Sequence, residues 1–298
     1  YLQKQGIKKI DYLVDTHPHA DHIGGMDAVI QAFDIGKVYM PRVTTTTESF
    51  ESVLRSLQAK GLKITPAKAG LTVLNENGLK ISFLAPCGSG YEDLNNWSAV
   101  LKVQFGDNSF LLTGDAQSES EQEMLASGAN LKADVLKVGH HGSHSSTTPA
   151  FLKAVSPKYA IISVGAGNDY GHPHHETLAK LASAGVKVCR TDRDGTVIFV
   201  SDGKTLTVRT LGNTIVPRAP NAMAPVVPAA SGGYIGNKNS KKFHRPDCQW
   251  AQKIAPQNRV VFRSREEALG RGMCRAKCVD RKSLIFLCCL YRGISLLA

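Results

Sequence analysis

The sequence predicts an α/β architecture of two sheets with helices packed outside them, and three observations predict it. Strand-like and helix-like patterns alternate from the first residues, a block of successive strands follows, and the alternation then returns. Ile10–Val14 is a short apolar run that enters a His-rich loop, and Gly24–Phe33 has helical spacing through Met26, Val29, Ile30 and Phe33. Lys37–Pro41 reads as a strand, and the next helix carries Phe50, Val53, Leu54 and Leu57 on one face and ends near Gly61. The strand block comprises Leu71–Leu74, Leu79–Leu84, Ala99–Val103 and Ser109–Leu112, with turn signals at Asn77-Gly78 and Gly106-Asp107. Beyond it come a helix over Ser118–Ala126, a strand over Asp134–Val138, a helix near Pro149–Val155, a strand over Tyr159–Val164 and a helix over Glu176–Ala184. Strands at Val186–Arg190, Thr196–Val200 and Thr205–Val208 complete this body.

A chain of 298 residues with 42% hydrophobic content is long enough for one main domain and a smaller one. The division falls at residues 213–233, where Pro217, Pro220, Pro225 and Pro228 sit among Ala, Ser and Gly and make a semi-rigid linker. This gives a body over residues 1–212, a module over 234–280 and an apolar tail over 281–298. The tail is open to reading as an interfacial segment, a docking helix or a poorly ordered end. The net charge of +11 is uneven, because residues 234–298 hold 14 Lys and Arg against 4 Asp and Glu. A basic patch of this kind favours a polyanion such as nucleic acid, teichoic acid or anionic lipid. No apolar run reaches the length of a spanning helix. Cys87 and Cys189 read as buried small residues, whereas five of the seven cysteines cluster near the end.

The chemistry-bearing run is Thr16-His17-Pro18-His19-Ala20-Asp21-His22-Ile23-Gly24-Gly25. Side chains at i and i+2 of an extended loop share a side, so His17 and His19 suit one metal while Asp21 and His22 suit its neighbour. Asp115 follows the apolar strand Ser109–Leu112 and is placed to bridge two metals. The strand Asp134–Val138 runs into Gly139-His140-His141-Gly142-Ser143-His144, so His140 or His141 faces the site and the other is free to act as an acid or touch a phosphate.

These motifs resemble the metallo-β-lactamase superfamily, and more narrowly the hydrolase domain of the competence protein ComEC and its stand-alone secreted relatives. The matching stretches are Thr16–Gly25, Asn95–Leu101, Leu111–Asp115, Leu136–Ser143 and Ser163–Pro173, together spanning about residues 5–210. The resemblance implies an αββα sandwich that starts after the family's opening strand pair, with part of its first sheet lacking. It implies two divalent metals, Zn or Mn, and hydrolysis of a phosphodiester, with DNA as the polymer. Asp21, His141 and His144 are assigned to catalysis, and Asn96, Ser98, Ser143 and His172 to substrate contact. Asn95 and Asn96 stand where many members place a further metal-binding His. Turn formation is the alternative role for Asn95, Asn96 and Ser98, and helix capping for His172.

In the tail module, His244, Cys248, Cys274 and Cys278 have the arithmetic of a closed structural zinc site, which would stabilise so small a unit. The segment resembles the Ada-type metal-binding domain, although three residues separate Cys274 from Cys278 where that family has two. The combined expectation is a secreted or surface-exposed nuclease with no nucleotide cofactor. Two other readings are an esterase of phosphorylcholine or another small phosphodiester, and a non-catalytic polyanion-binding protein.

Overall fold

The computed structural model describes residues 2–210, 234–244, 254–262, 267–268, 271–275, 287–290 and 294–297, the last two segments and residues 274–275 as backbone only. Two compact units result, Tyr1–Ile215 with Ser283–Ala298, and Val216–Lys282.

The first unit opens with β1 (Lys9–Val14), the short helices α1 (Ala20–Ile23) and α2 (Met26–Ala32), β2 (Asp34–Met40), α3 (Glu48–Ala59) and β3 (Ile64–Pro66). The three strands pair in parallel, in the order β1-β2-β3. Their connections are helices, as parallel pairing requires. Thr47 caps α3 by accepting from the Phe50 amide, and Phe50, Val53 and Leu57 bury one face against Met26 and Ile30 of α2 and Ile10 and Leu13 of β1.

The second sheet has seven strands among the described residues: β4 (Thr72–Glu76), β5 (Leu79–Phe83), β6 (Leu101–Phe105), β7 (Asn108–Leu112), β8 (Val135–Lys137), β9 (Tyr159–Ile162) and β10 (Lys187–Arg190). They lie side by side in sequence order. β4 to β7 form an antiparallel meander and β7 to β10 run parallel, joined by α4 (Ser118–Ala126), α5 (Pro149–Val155) and α6 (His175–Ser183). Strand period two sorts the side chains by layer. Phe110, Leu112, Val135 and Ile161 point into the space between sheets, while Leu111, Leu136, Ala160 and Ile162 meet Met124 of α4, Phe151 and Val155 of α5 and Leu181 of α6.

After the short α7 (Thr191–Asp194) come β11 (Val197–Ser201) and β12 (Leu206–Thr210). Val197 and Phe199 join Tyr39 of β2 over the seven-stranded sheet, so the facing layer is built from two pieces. The outcome is helices, sheet, sheet, helices: the αββα sandwich. Residues Leu287–Leu290 (β17) and Ile294–Leu297 (β18) are strands rather than a helix, and β18 pairs antiparallel with β11.

The second unit holds a four-stranded sheet, in the order β15-β13-β14-β16, of β13 (Tyr234–Asn237), β14 (Lys242–His244), β15 (Arg259–Phe262) and β16 (Cys274–Arg275). Its core is Phe243, Phe262, Ala268 and Met273. The parallel register sets Lys242 beside Cys274 on the backbone, with His244 two residues further along β14. Cys248, Cys278 and the linker at 213–233 lie outside the described residues. No helix among the described residues is long and apolar enough to cross a membrane.

Phe110 is fully buried at the middle of β7, the strand that carries Asp115 at its end. Phe110→Ala is expected to lower the unfolding free energy by about 3–5 kcal/mol in a urea titration. A loss below about 1 kcal/mol would show that the intersheet layer does not hold the fold.

Candidate metal centre

Three strand ends deliver the site. β1 stops at Val14, and the loop that follows presents His17 and His19 before α1 opens with Asp21 and His22 in its only turn. β7 stops at Leu112 and turns through Gly114 to Asp115. Gly114 has φ +54°, and a Cβ there would sit 2.9 Å from Ser98 Oγ and 3.1 Å from Thr16 Cβ, so a side chain would push the Asp115 turn off the His loop. β8 stops at Lys137, and His140 and His141 follow with φ of 46° and 54°. Two consecutive left-handed non-glycine residues cost on the order of 1–3 kcal/mol each. Neighbours hold them: the His140 amide donates to Gly114 O, the Ser143 amide to His140 O, and the His174 amide to Gly142 O.

The side chains converge on Asp115, whose carboxylate is only 2% exposed. Its Oδ2 lies 3.1 Å from His22 Nε2 and 3.2 Å from His141 Nε2. His141 Nε2 is 3.2 Å from Asp21 Oδ2 and 3.2 Å from His22 Nε2. The ligand atoms of Asp21, His22, Asp115 and His141 all fall within 4.8 Å of one another. Beside this set, His17 Nε2 stands 3.8 Å from Asp115 Oδ2 and 3.1 Å from His19 Nδ1. Asp115 Oδ2 is therefore the corner shared by a four-residue set and a histidine pair.

The amino-acid profile of the metallo-beta-lactamase superfamily matches residues 1–166, more than half of the chain. The chain belongs to the metallo-beta-lactamase superfamily. Among curated proteins it is 39% identical over 199 residues to ComE operon protein 3 of Bacillus subtilis (strain 168), covering 67% of this chain and 26% of that one. It is 32% identical over 199 residues to Competence protein ComA of Neisseria gonorrhoeae, covering 66% and 26%. A third relative, Recombination protein 2 of Haemophilus influenzae, is 34% identical over 181 residues, covering 61% and 21%. The chain thus spans about a quarter of the length of these relatives.

Members of the metallo-beta-lactamase superfamily are generally metal-dependent hydrolases, and the residues of this chain fit divalent cations. His141 Nδ1 lies 2.7 Å from the Ser163 carbonyl, to which it donates, so Nε2 faces the cluster and is the nitrogen that a cation would take on loss of its proton. Thr16 Oγ1 lies 3.1 Å from His17 Nδ1 and 3.4 Å from His22 Nδ1, engaging the far nitrogens of both rings. Ser98 Oγ accepts from the Asp115 amide and lies 3.4 Å from His17 Nδ1. Asp115 Oδ1 is buried with no hydrogen-bond partner. Nitrogen lone pairs and carboxylates packed this closely around the buried Asp115 repel one another unless positive charge lies among them.

The electrostatics agree. Burial would push the Asp115 carboxyl up, but His22 and His141 hold it well below the usual range. Burial works to lower His141, and the Asp115 carboxylate with hydrogen bonds to Asp115 and Asp21 overcomes it, raising the imidazole to about 9. Burial, reinforced by His22, drives His17 well below its ordinary value.

Other expected site residues take supporting places. Asn96 is buried, donating to Glu119 and accepting from the Gln117 amide, so it ties its own segment to the start of α4. Ser143 is also buried, and its Oγ accepts from Ser145. His140 puts Nδ1 3.3 Å from Ser145 Oγ, and its ring lies edge-on to His141 at 6.1 Å. His144 is turned to His174, with their Nδ1 atoms 2.8 Å apart, and does not join the four-residue set. His172 stacks over His141 at 6.4 Å. Burial and the imidazoles of His140 and His174 push it down to about 4.

Sequence reasoning passed over Lys137. Its ammonium is buried, donates to the carbonyls of Gly114 and Val138, and lies 3.8 Å from Asp115 Oδ1. The available signal was a lysine interrupting the apolar strand Val135-Leu136-Lys137-Val138. Thr16 and the Ser163 carbonyl were also missed, the second because a backbone atom leaves no mark in a sequence.

Before a cation binds, the His141 imidazole holds its proton up to about pH 9, whereas coordination needs a bare Nε2. Metal uptake near neutrality is therefore expected to release about one proton, and apparent affinity to rise by up to roughly tenfold per pH unit until the imidazole is neutral. Calorimetric titration with Mn²⁺ or Zn²⁺ in buffers of different ionisation enthalpy checks this. Proton-free, pH-independent uptake would remove His141 from the ligand set.

Proposed function

We propose that this chain is a two-metal phosphodiesterase that cleaves DNA outside the cytoplasm. The observation that carries the reading is the shared corner at Asp115 Oδ2, with His22 and His141 at 3.1 and 3.2 Å and His17 at 3.8 Å. A competence protein and a recombination protein among the relatives support DNA as the polymer.

In this reading His17 and His19 would hold one cation and Asp21, His22 and His141 the other, with Asp115 available to both. Zinc or manganese bound there supplies Lewis-acid polarisation of the phosphoryl oxygen and an acidified water. Ser98 Oγ holds the Asp115 backbone by accepting from its amide, and the Lys137 ammonium faces the Asp115 carboxylate from behind. Ser163 fixes the His141 tautomer. His140, whose Nδ1 is engaged by Ser145, offers Nε2 to the leaving oxygen. His144, paired with His174, stands farther out as a contact for the flanking backbone. A structural zinc held by His244, Cys248, Cys274 and Cys278 and the basic character of residues 234–298 would keep the polymer on the protein.

The test is digestion of single-stranded DNA by the full chain with Mn²⁺ or Zn²⁺, wild type against Asp115→Asn. The variant is expected to lose at least about 100-fold in cleavage rate and to bind metal more weakly, while its circular dichroism stays that of the wild type. Equal cleavage by Asp115→Asn would sink the reading. Intact metal binding with turnover of a small choline phosphodiester but not of DNA would favour an esterase.

A further inference from the structure

One large aromatic residue stands bare beside the metal centre. Tyr170 is 73% exposed, far above every other large hydrophobic residue described in the first unit except Ile64, at 41%. Among the described residues of the first unit, Tyr170 and Ile64 are the exposed large hydrophobic residues, too few for a broad apolar patch of the sort that seats a protein partner, and Tyr170 has a distinct setting. It is the outer member of a ladder. Tyr170 stacks on His172 with centroids 5.7 Å apart and planes at 24°, and His172 stacks on His141 at 6.4 Å, again at 24°. The innermost ring is a member of the four-residue set around Asp115.

The loop that displays Tyr170 is held in place. Asn168 Oδ1 accepts from the amides of Tyr170 and His172, and Asn168 Nδ2 donates to the carbonyls of Gly165 and His172. His174 Nε2 lies 3.2 Å from Tyr170 O and makes a further tie. The aromatic face is thus presented by a fixed backbone, and among the described residues no contact accounts for its outward side.

We infer that Tyr170, backed by His172, is a stacking platform for a base of single-stranded nucleic acid flanking the scissile phosphate. A planar exposed ring at the end of a stack leading from the cations suits a planar ligand group whose phosphate is engaged two ring-steps inward. Every base has a π-face, so the platform gives affinity and register without reading sequence. It selects a strand with unstacked bases, because a base held in a duplex has no free face to offer. This rests on the phosphodiesterase reading above and names a further part of its substrate site.

The experiment compares a short labelled oligothymidylate with an abasic strand of the same length and charge, bound by the metal-loaded full chain and followed by fluorescence anisotropy. Wild type is expected to prefer the base-bearing strand on the order of tenfold. Tyr170→Ala should bring that ratio to about one, and Tyr170→Trp should keep it, since stacking needs only an aromatic face. Unfolding midpoints of both variants should match the wild type, because the side chain is exposed. A wild type that binds both strands equally, or a Tyr170→Ala protein that keeps the preference, overturns the platform and leaves the phosphodiesterase reading untouched. Failure of the wild type to bind either strand removes both. Equal tenfold losses on the two strands in Tyr170→Ala would assign the tyrosine to the sugar-phosphate chain and also overturn base stacking.

Discussion

The carboxylate of Asp115 is the constraint around which this fold is arranged. It sits at the end of β7, almost wholly out of water, with one oxygen facing three imidazoles and the other facing only Lys137, at 3.8 Å. Isolated burial of such a charge costs several kcal/mol even after relaxation. That cost is tolerable because the layers on either side of the seven-stranded sheet are packed with fully buried side chains such as Phe83, Phe110, Leu111 and Phe151. The same placement makes the centre a strong attractor for a divalent cation, which offsets the repulsion that the scaffold imposes.

Holding His141 at that point takes a second layer of bonds. The left-handed turn at His140 and His141 runs into a loop whose amides at Thr147 and Thr148 donate to the buried Glu121 carboxylate of α4. From the other side, Lys180 of α6 donates to the carbonyls of Ser146 and Thr147, and Thr177 donates to Ser143 O. Two helices that pack on the outer face of the sheet therefore also brace the loop that carries the ligand. Backbone strain at the turn is sustained by contacts that involve no metal ligand.

Much of this was legible in the residues. His17, His19, Asp21 and His22 lie within six positions, so local geometry alone brings them together, and strand ends at Leu112 and Lys137 put Asp115 and the His-His pair within reach. Choosing between His140 and His141 was not possible from sequence. Both occupy left-handed backbone, and the choice depends on which ring meets the Ser163 carbonyl, a contact across the sheet. The roles of Asn96 and Ser98 as hydrogen-bond acceptors for the backbone amides of Gln117 and Asp115 were likewise not readable, because their partners come from another stretch of the chain. The helix expected over Gly24–Phe33 begins in earnest only at Met26, because Gly24 and Gly25 separate it from the single turn bearing Asp21 and His22. The strand nature of Ile294–Leu297 was hidden because an apolar run acquires a partner only through tertiary structure.

That last pairing bears on how the protein can be handled. β11 contributes Val197 and Phe199 to the intersheet layer and is flanked by β12 on one side and β18 on the other. A fragment cut back to residue 210 would keep every ligand of the centre but strip one flank of β11, baring a row of peptide groups. Such an exposed rim recruits strands from neighbouring molecules. Excising the hydrolase unit at residue 210 thus turns β11 from an interior strand into an edge, and β18 belongs with the body it pairs with despite its distance along the sequence.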